Sequence, residues 1–303
     1  MIARHDYSIL RRMIEIMNEV SRGDTTNVET LFELTKEGMY PLEIVNLAEA
    51  FGMMVVNIDA KQQHLELVLE DLKQKNTALK QVSGNLLNAN VGMLEVLGNA
   101  IAKRDSTTSD HNYRVTIHSI HLGKAMGLAE KELCSLIKGA FLHDIGKIAI
   151  SDAILLKPAK LTSLEFDQIK THVTHGCDII KAYPWLSDAT DVVLHHHEKY
   201  NGTGYPDRLA GKQIPVNARI FAIVDVFDAL TSTRPYKDSY PFDMVMKIMA
   251  DDAGSHFDPD IFELFRQDAV RHHDVIAGYT EAQLVAVLQT LMHDYFETAS
   301  EHV

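Results

Sequence analysis

At residues 139–147 the chain reads Gly-Ala-Phe-Leu-His-Asp-Ile-Gly-Lys. The apolar residues before His143 are typical of a helix, and we expect His143 and Asp144 to lie on one helical turn. An imidazole there can bind one metal ion while the adjacent carboxylate, which has two oxygens, bridges to a second ion. Because His-Asp pairs are common, this interpretation depends on the other histidines of the chain.

Histidines are concentrated around this pair. The chain has 16 histidines, and nine of them lie within residues 111–197. The candidate ligands are His111, His143, His172, His196 and His197, together with the carboxylates of Asp144 and Asp225. Imidazoles mixed with carboxylates are typical of sites for Fe, Mn, Zn or Ni and contain too much nitrogen for Mg or Ca. The alternative is that these histidines only pack in a core.

Composition limits the class of protein. The chain has 303 residues, of which 46% are apolar and 23% charged, as in a soluble globular protein. Its formal net charge of −13 argues against a nucleic-acid polymer as partner and predicts that a phosphate ligand is small and held by local cations. No apolar run reaches ~18 residues and no apolar signal core follows Met1, so we expect a cytoplasmic protein without a membrane span.

A heptad pattern runs through the first third of the chain. Eight residues at a spacing of seven are all apolar: Ile44, Phe51, Ile58, Leu65, Leu72, Leu79, Leu86 and Met93. The positions three residues after them are apolar in six of eight cases, with Lys61 and Lys75 as the interruptions. The pattern predicts a parallel coiled coil through roughly residues 44–90, and hence a homodimer. One long amphipathic helix packed on its own domain is the alternative.

The fold class predicted from these patterns is all-α. Helical periodicity continues to the C-terminus outside a Gly- and Pro-rich loop at 199–217, and Val/Ile runs long enough for a sheet are absent from the sequence. We expect an N-terminal helical segment over 1–57, a coiled-coil linker over 58–98 and a helical catalytic domain over 99–303. A helix, a connector and a second helix lead into residues 43–54, Glu-Ile-Val-Asn-Leu-Ala-Glu-Ala-Phe-Gly-Met-Met. Through these residues the first segment resembles a HAMP-type signalling module, with an unspecialised helical dimerisation domain as the alternative.

Residues 100–270 carry an ordered set of motifs that resembles the HD-GYP domain, the branch of the HD superfamily that hydrolyses cyclic dinucleotides. The matching segments are Arg104-Asp105, His111 with Arg114-Val115, His143-Asp144-Ile145-Gly146-Lys147, Leu155 with Lys157-Pro158 and Leu161-Thr162, His172 with Gly176, His195-His196-His197-Glu198, Asn201-Gly202-Thr203-Gly204-Tyr205-Pro206, Arg219-Ile220 with Asp225, Asp228-Ala229-Leu230-Thr231, Arg234-Pro235-Tyr236-Lys237, and His256-Phe257-Asp258-Pro259. The resemblance implies an HD-type helical bundle for the catalytic domain.

The resemblance also implies a binuclear metal site. One ion would be held by His111, His143, Asp144 and Asp225, and the other by His172, His196 and His197, with Asp144 bridging both. Thr107 stands where some members of the family carry a Glu for a third ion, so we expect two divalent ions, Fe or Mn. Asp228, one turn after Asp225, is expected to support the ligands rather than bind metal.

The implied reaction is hydrolysis of cyclic di-GMP to linear pGpG, and onward to GMP in some cases, by in-line attack of a hydroxide that bridges the two ions. Lys147, one turn beyond Asp144, is expected to bind a phosphate oxygen, and Arg234 with Lys237 the second phosphate. Tyr205, in the loop 202–206, is expected to contact guanine or phosphate. The same loop is expected to meet a GGDEF-type protein partner.

Two other functions stay open at this point. The substrate could be cyclic GMP-AMP or another nucleotide phosphoester, because contacts to the bases cannot be deduced from the sequence. The domain could instead be a cyclic di-GMP-responsive interaction module with negligible hydrolysis. Against this second alternative, every mapped ligand and cation is present, whereas a degenerate binding domain would be expected to lack at least one.

Overall fold

The computed structural model describes residues 2–36, 39–104, 109–232 and 239–301. Within these ranges every regular element is a helix, and extended pairing is limited to the isolated bridges Asn201–Ala210 and Ala253–Phe257. The prediction of an all-α fold is therefore confirmed. No described helix combines the length and the apolar character needed to cross a bilayer.

The chain divides into two compact units between Val82 and Ser83. The first unit contains α1 (Ile2–Ser21), α2 (Glu29–Glu33) and the N-terminal part of α3 (Leu42–Arg104), whose remainder belongs to the second unit. The other helices of the second unit are α4 (Ser109–Ala125), α5 (Glu130–Leu142), α6 (Asp152–Leu155), α7 (Ser163–Lys170), α8 (His172–Lys181), α9 (Thr190–His195), α10 (Val216–Thr231), α11 (Phe242–Asp251), α12 (Pro259–Ala277) and α13 (Glu281–Glu301), with short 3-10 helices at Ile145–Ala149, Pro184–Ala189 and Gly211–Gln213.

The core of the first unit forms between α1 and α3. Ile9, Met13 and Ile16 lie on one face of α1 because they are four and three residues apart, and all three are buried. They belong to one hydrophobic cluster with Ile44 and Phe51 of α3. The heptad pattern assigned these last two residues to a dimer interface. Because both are buried inside this unit, the predicted coiled coil does not include its first two heptad positions. They are covered by α1 and α2 of the same chain.

The heptad positions further along α3 have different surroundings. Ile58, Leu65, Leu72, Leu79 and Leu86 are 49% to 68% exposed. These residues fall on one face of a 63-residue helix. The sequence predicts a second copy of the helix as the partner of this face, and the dimer stays a prediction, as do the HAMP resemblance and the domain boundaries.

The second unit is organised around α5, in which all ten residues from Leu133 to Leu142 are buried. A helix that is buried on all sides must have neighbours on all sides. One hydrophobic cluster joins α5 to the end of α3, to α4 and to α13 through residues such as Ile101, Phe141 and Met292. A second cluster joins α5 to α10, α11 and α12 through residues such as Phe221 and Phe265. The C-terminal end of α5 therefore has a position that packing fixes on two sides, and the His-Asp pair follows at this end.

The 3-10 helix Ile145–Ala149 packs against the first turns of α8 without space for a side chain. A Cβ on Gly146 would lie 1.8 Å from the carbonyl oxygen of His172 and 2.4 Å from the amide nitrogen of Gly176. Because both are backbone atoms, they cannot rotate away. This contact sets the distance between the turn that carries Asp144 and the helix that begins at His172.

We predict that Gly146→Ala lowers the stability of the second unit. Overpacking a tight contact typically costs about 1–3 kcal/mol, so the midpoint of thermal unfolding, followed by circular dichroism, should fall by roughly 2–10 °C. The matched control is Gly84→Ala in α3, where the new Cβ has no neighbour within 4 Å and helix propensity favours Ala by about 1 kcal/mol. An unchanged midpoint for Gly146→Ala would contradict the close packing.

Candidate metal centre and substrate cleft

All the candidate ligands except Asp225 are carried by the ends of helices that converge on one region of the second unit. His111 lies in the first turn of α4, His172 is the first residue of α8, and Asp225 lies within α10. His196 and His197 follow the last residue of α9. Helix ends can place side chains at one point without the helices themselves having to pack there.

His143 and Asp144 do not lie on a helical turn, which corrects the expectation from the sequence. Helix α5 ends at Leu142, His143 is its C-terminal cap, and the chain then tightens into the 3-10 helix that starts at Ile145. The physical reason is the close contact of Gly146 with α8, which draws the backbone out of the helical path. Both side chains nevertheless face the other ligands.

Six of the candidate ligands form two groups of three. In the first group one ligand atom each of His111, His143 and Asp225 lie within 4.8 Å of one another, and in the second group the same holds for His172, His196 and His197. Groups of three ligand atoms at this spacing could each hold a metal ion. Five of the six residues are histidines, which suits a borderline transition metal better than Mg or Ca.

Asp144 lies between the two groups. Its Oδ2 is 3.1 Å from Nε2 of His143 in the first group, and its Oδ1 is 3.4 Å from Nε2 of His172 in the second. One oxygen therefore faces each group, which is the arrangement that a bridging carboxylate requires. Oδ2 also lies 2.7 Å from Nζ of Lys147. Burial would raise the pKa of Asp144, but the charges of Lys147 and His143 hold that pKa well below its usual range.

Hydrogen bonds to the backbone orient three of the imidazoles. Nδ1 of His143 lies 2.9 Å from the carbonyl oxygen of Ala140, Nδ1 of His172 lies 2.7 Å from that of Ile169, and Nδ1 of His196 lies 3.0 Å from that of Val192. Because a carbonyl oxygen only accepts hydrogen bonds, Nδ1 must carry the proton in each ring. The lone pair of the neutral ring is then on Nε2, the atom that a metal ion would contact.

The imidazoles of the second group are kept in the neutral form by their surroundings. Burial lowers the pKa of His172, and burial together with the charge of His172 lowers the pKa of His197 to about 4. Burial likewise places the pKa of His196 well below its ordinary value. For His143, burial acts in the same direction, but the charge of Asp144 and its hydrogen bond outweigh it and raise the pKa of His143. Neutral imidazoles near pH 7 are the form that binds metal.

His111 is oriented by a side chain instead of the backbone. Its Nδ1 donates to Oδ2 of Asp228 at 2.8 Å, while its Nε2 lies 3.5 Å from Oδ1 of Asp225. Asp228 is itself held by Arg114, whose Nε donates to Oδ1 at 2.5 Å. Burial would raise the pKa of Asp228, but the hydrogen bonds from His111 and Arg114 keep that pKa below its ordinary value. Arg114 is a residue to which the sequence analysis assigned no role.

Tyr205 lies directly on the second group. Its ring stacks on the imidazole of His197 with a centroid distance of 4.8 Å and an interplanar angle of 29°. The loop that carries Tyr205 is anchored by Glu198, whose carboxylate accepts from the backbone amides of Asp207 at 2.7 Å and Leu209 at 3.1 Å. Burial raises the pKa of the Tyr205 hydroxyl, so the hydroxyl keeps its proton and can act as a donor.

A cleft opens from His197 and Tyr205. It has a volume of ≈ 930 Å³, and its lining includes Lys170, Lys199 and Arg208. None of these three cations was singled out in the sequence, where lysines and arginines are too common to stand out. The predicted phosphate ligands Arg234 and Lys237 lie outside the described residues, as does Thr107, the position of a third metal ligand in some HD-GYP domains.

Comparisons with known proteins agree with the resemblance drawn from the motifs. Over 262 residues, which are 84% of this chain and 48% of the relative, the sequence is 30% identical to "3'3'-cGAMP-specific phosphodiesterase 2" of Vibrio cholerae serotype O1. Over 168 residues, 55% of this chain and 44% of the relative, it is 40% identical to "Cyclic di-GMP phosphodiesterase response regulator RpfG" of Xanthomonas campestris pv. campestris. The chain thus spans about half the length of these curated relatives.

Among solved structures, a cyclic GMP-AMP specific phosphodiesterase of Vibrio cholerae aligns with 17% identity and a TM-score of 0.46, over 67% of this chain and 60% of that chain. The family model described as HD domain matches residues 95–261, a range that contains all seven candidate metal ligands. Since this range is more than half of the chain, the protein belongs to the HD-domain family.

Proposed function

We propose that the protein is a metal-dependent phosphodiesterase that hydrolyses cyclic di-GMP to linear pGpG. The observation that carries the proposal is the position of Asp144, with one carboxylate oxygen facing each of two buried groups of three ligands. Relatives named as phosphodiesterases of cyclic di-GMP and of cyclic GMP-AMP support the substrate class. A core of histidines without a metal role would not need a carboxylate between two groups of imidazoles.

The donor set fits two divalent ions, which we propose to be Fe or Mn. His111, His143 and Asp225 would hold one, His172, His196 and His197 the other, and Asp144 would bridge them. Bound there, the ions would activate water and polarise the phosphodiester as Lewis acids. The backbone-bonded imidazoles supply the rigidity that such a site requires, because each ring is held in one tautomer.

The side chains around the ligands would bind and neutralise the substrate phosphate. The ammonium group of Lys147 is 2.7 Å from Asp144, so a phosphate beside this carboxylate would lie within its reach. The hydroxyl of Tyr205, protonated at neutral pH, could donate to the phosphate or to the base. We assign the second phosphate to Arg234 and Lys237 on the strength of the HD-GYP resemblance. The loop 202–206 is also the proposed contact for a GGDEF-type protein.

Cyclic GMP-AMP is the second candidate substrate, because the relative that covers 84% of this chain is named for it. The two substrates differ in one base, whereas the metal groups and Lys147 would contact only the phosphate. The choice between them therefore depends on groups in the cleft and is best made by measuring kcat/KM for both.

The first test measures metal content and turnover on the same anaerobically purified sample. The wild-type protein should contain close to two metal ions per chain and release pGpG, whereas Asp144→Ala should lose turnover by at least about 1,000-fold and lose bound metal. Asp178→Ala, an exposed carboxylate of α8 outside the ligand set, is the matched control and should behave as the wild type. Normal turnover in Asp144→Ala would remove the metal-site assignment.

A second test concerns the residue that orients His111. Asp228→Asn keeps the shape of the side chain but removes the charge that holds the His111 Nδ1 proton and pairs with Arg114. The affinity of the first group for metal should fall about 10–100-fold. Titration with Mn²⁺ in competition with a chelator measures this affinity. Of the two metal sites, one should lose more affinity than the other. Equal weakening of both sites would contradict a local role.

We propose further that the chain forms a parallel homodimer through the exposed heptad face of α3. Leu65→Lys combined with Leu72→Lys would place two charges in the interface and should yield monomers by multi-angle light scattering. The matched control is Leu67→Lys with Gln74→Lys, which adds the same charges two positions away on the outer face of the helix. A dimer mass in the first variant would mean that these heptads have another partner.

A further inference from the structure

Arg104, the last residue of α3, binds the backbone of the segment that follows the His-Asp pair. Its Nη1 donates to the carbonyl oxygen of Lys147 at 2.5 Å, and its Nη2 donates to the carbonyl oxygen of Ile150, also at 2.5 Å. Lys147 lies in the 3-10 helix that starts at Ile145, and Ile150 is the C-terminal cap of that helix. We call these two hydrogen bonds the Arg104 clamp.

The residue type at position 104 suits this contact. Carbonyl oxygens at the end of a helix lack a donor within the helix and must find one elsewhere. A guanidinium group is planar and carries its donors in a fixed fork, so it can serve two acceptors at once and set their separation. The ammonium group of a lysine is a single nitrogen on a flexible stem and does not define such a separation. An arginine is therefore the side chain that can fix two backbone carbonyls relative to a helix end.

Arg104 also pairs with a carboxylate, but this pair is the weaker part of the contact. Its Nη2 lies 2.7 Å and its Nε 3.2 Å from Oδ1 of Asp152. The side chain of Asp152 is 69% exposed, whereas that of Arg104 is 28% exposed. Because water screens an ion pair with so exposed a partner, the pair contributes little. The bonds to the carbonyl oxygens are the ones that hold the segment.

Backbone hydrogen bonds connect the clamp with Asp144. The amide of Ile150 donates to the carbonyl oxygen of Lys147 at 3.1 Å, and the amide of Lys147 donates to that of Asp144 at 2.9 Å. The side chain of Lys147 also returns to Asp144, with Nζ 2.7 Å from Oδ2. The clamp therefore holds the same turn from which the Asp144 carboxylate faces both ligand groups.

Helix α3 is also fixed on the other side of the His-Asp pair. A Cβ on Gly98 would lie 2.5 Å from the ring of Phe141, in the last turn of α5, so the two helices are in close contact there. Nδ2 of Asn112 donates to the carbonyl oxygen of Gly98 at 3.1 Å. The end of α3 thus contacts the chain just before His143 and again at Lys147.

The space between α3 and the ligand turn is nearly closed. Ile101 and Ala102 of α3 are buried. With Asp144 and Ile145 they contribute to the lining of a cavity of only ≈ 10 Å³, which is room for about one water molecule. Because close-packed interiors transmit displacements, a shift of the last turn of α3 would have to move the ligand turn as well.

We propose that Arg104 is a positioning residue that holds the turn from Asp144 to Ile150 in the geometry in which Asp144 faces both ligand groups, and that it couples this turn to the end of α3. This inference rests on the proposed metal centre. The contact of Gly146 with α8 fixes the turn on one side, and the Arg104 clamp fixes it on the side of α3. Since Asp144 lies between the two groups, loosening the turn should weaken both metal sites.

The first experiment measures Mn²⁺ affinity by competition with a chelator. In Arg104→Ala the affinity of both sites should fall about 10–100-fold, the effect of losing a group that orients a ligand. The matched control is Lys103→Ala, which removes an exposed cation from the same end of α3 and should bind as the wild type. Asp152→Ala removes the screened ion pair but keeps the clamp, so it should bind as the wild type too.

A second variant guards against a folding defect. Arg104→Lys keeps the positive charge but lacks the fork, so its Mn²⁺ affinity should also fall at both sites, whereas its thermal midpoint should stay closer to that of the wild type. A lower thermal midpoint with unchanged Mn²⁺ affinity in Arg104→Ala, or in Arg104→Lys where the alanine variant does not fold, would overturn the inference. Arg104 would then only stabilise the fold.

Amide hydrogen exchange separates this inference from the proposed function. In the metal-free protein, exchange over residues 144–150 should be about 10–100-fold faster in Arg104→Ala than in the wild type or in Lys103→Ala. Because coupling is reciprocal, Mn²⁺ should slow exchange in the last turn of α3 in the wild type and not in Arg104→Ala.

The outcomes of the exchange and metal measurements differ for the two proposals. Faster exchange in metal-free Arg104→Ala alone, with neither Mn²⁺ binding nor turnover of cyclic di-GMP by the wild type, would support the clamp and reject the phosphodiesterase. Two bound ions and turnover in the wild type, with equal exchange and equal Mn²⁺ affinity in all variants, would reject the clamp and leave the phosphodiesterase standing.

Discussion

The backbone contact between Gly146 and the first turns of α8 determines where the candidate ligands stand. A Cβ on Gly146 would overlap the carbonyl oxygen of His172 at 1.8 Å, so the 3-10 helix and α8 touch main chain to main chain. Asp144 lies two residues before this contact and His172 begins the helix on its other side. The contact therefore brings Oδ1 of Asp144 to within 3.4 Å of the His172 imidazole. A larger residue at 146 would separate the two ligand groups, and a bridging carboxylate could no longer face both.

Geometry alone does not make a metal site, because the ligands must also be in the right protonation state. Burial keeps the imidazoles of the second group neutral, and carbonyl oxygens of α5, α7 and α9 fix which ring nitrogen carries the proton. The carboxylates of Asp144 and Asp228 are instead kept in their charged form. Lys147 stabilises the charged form of Asp144, and Arg114 does so for Asp228. Neutral nitrogen and charged oxygen are thus both maintained within one buried region, which is the combination that divalent transition metals prefer.

Much of this arrangement could be predicted from the sequence, and the failures have physical causes. The all-α class followed from helical periodicity, and an ordered set of motifs supplied the seven candidate ligands, six of which the structure brings into two groups and the seventh, Asp144, between them. The pattern could not show that Ile44 and Phe51 are covered by α1, because a heptad repeat and an intramolecular helix contact present the same apolar spacing. It also placed His143 and Asp144 on one helical turn, whereas α5 ends at Leu142 and the 3-10 helix that begins at Ile145 packs against α8. Tertiary contacts of this kind leave no local signal.

The cations of the cleft were not predicted from the sequence for the same reason. Lys170 and Arg208 are 38 positions apart in the sequence, on the end of a helix and on a loop, and they come together only because α7, α8 and the loop all attach to the ligand segment. The carboxylate of Glu198 makes this attachment on one side, and the single residue between α7 and α8 makes it on the other. The elements that position the candidate ligands thereby also build the walls of the cleft. Although the chain has a net charge of −13, the cations that line this cleft would attract a small anion, because their attraction acts over the few ångström of the cleft while the distant acidic surface is screened by salt.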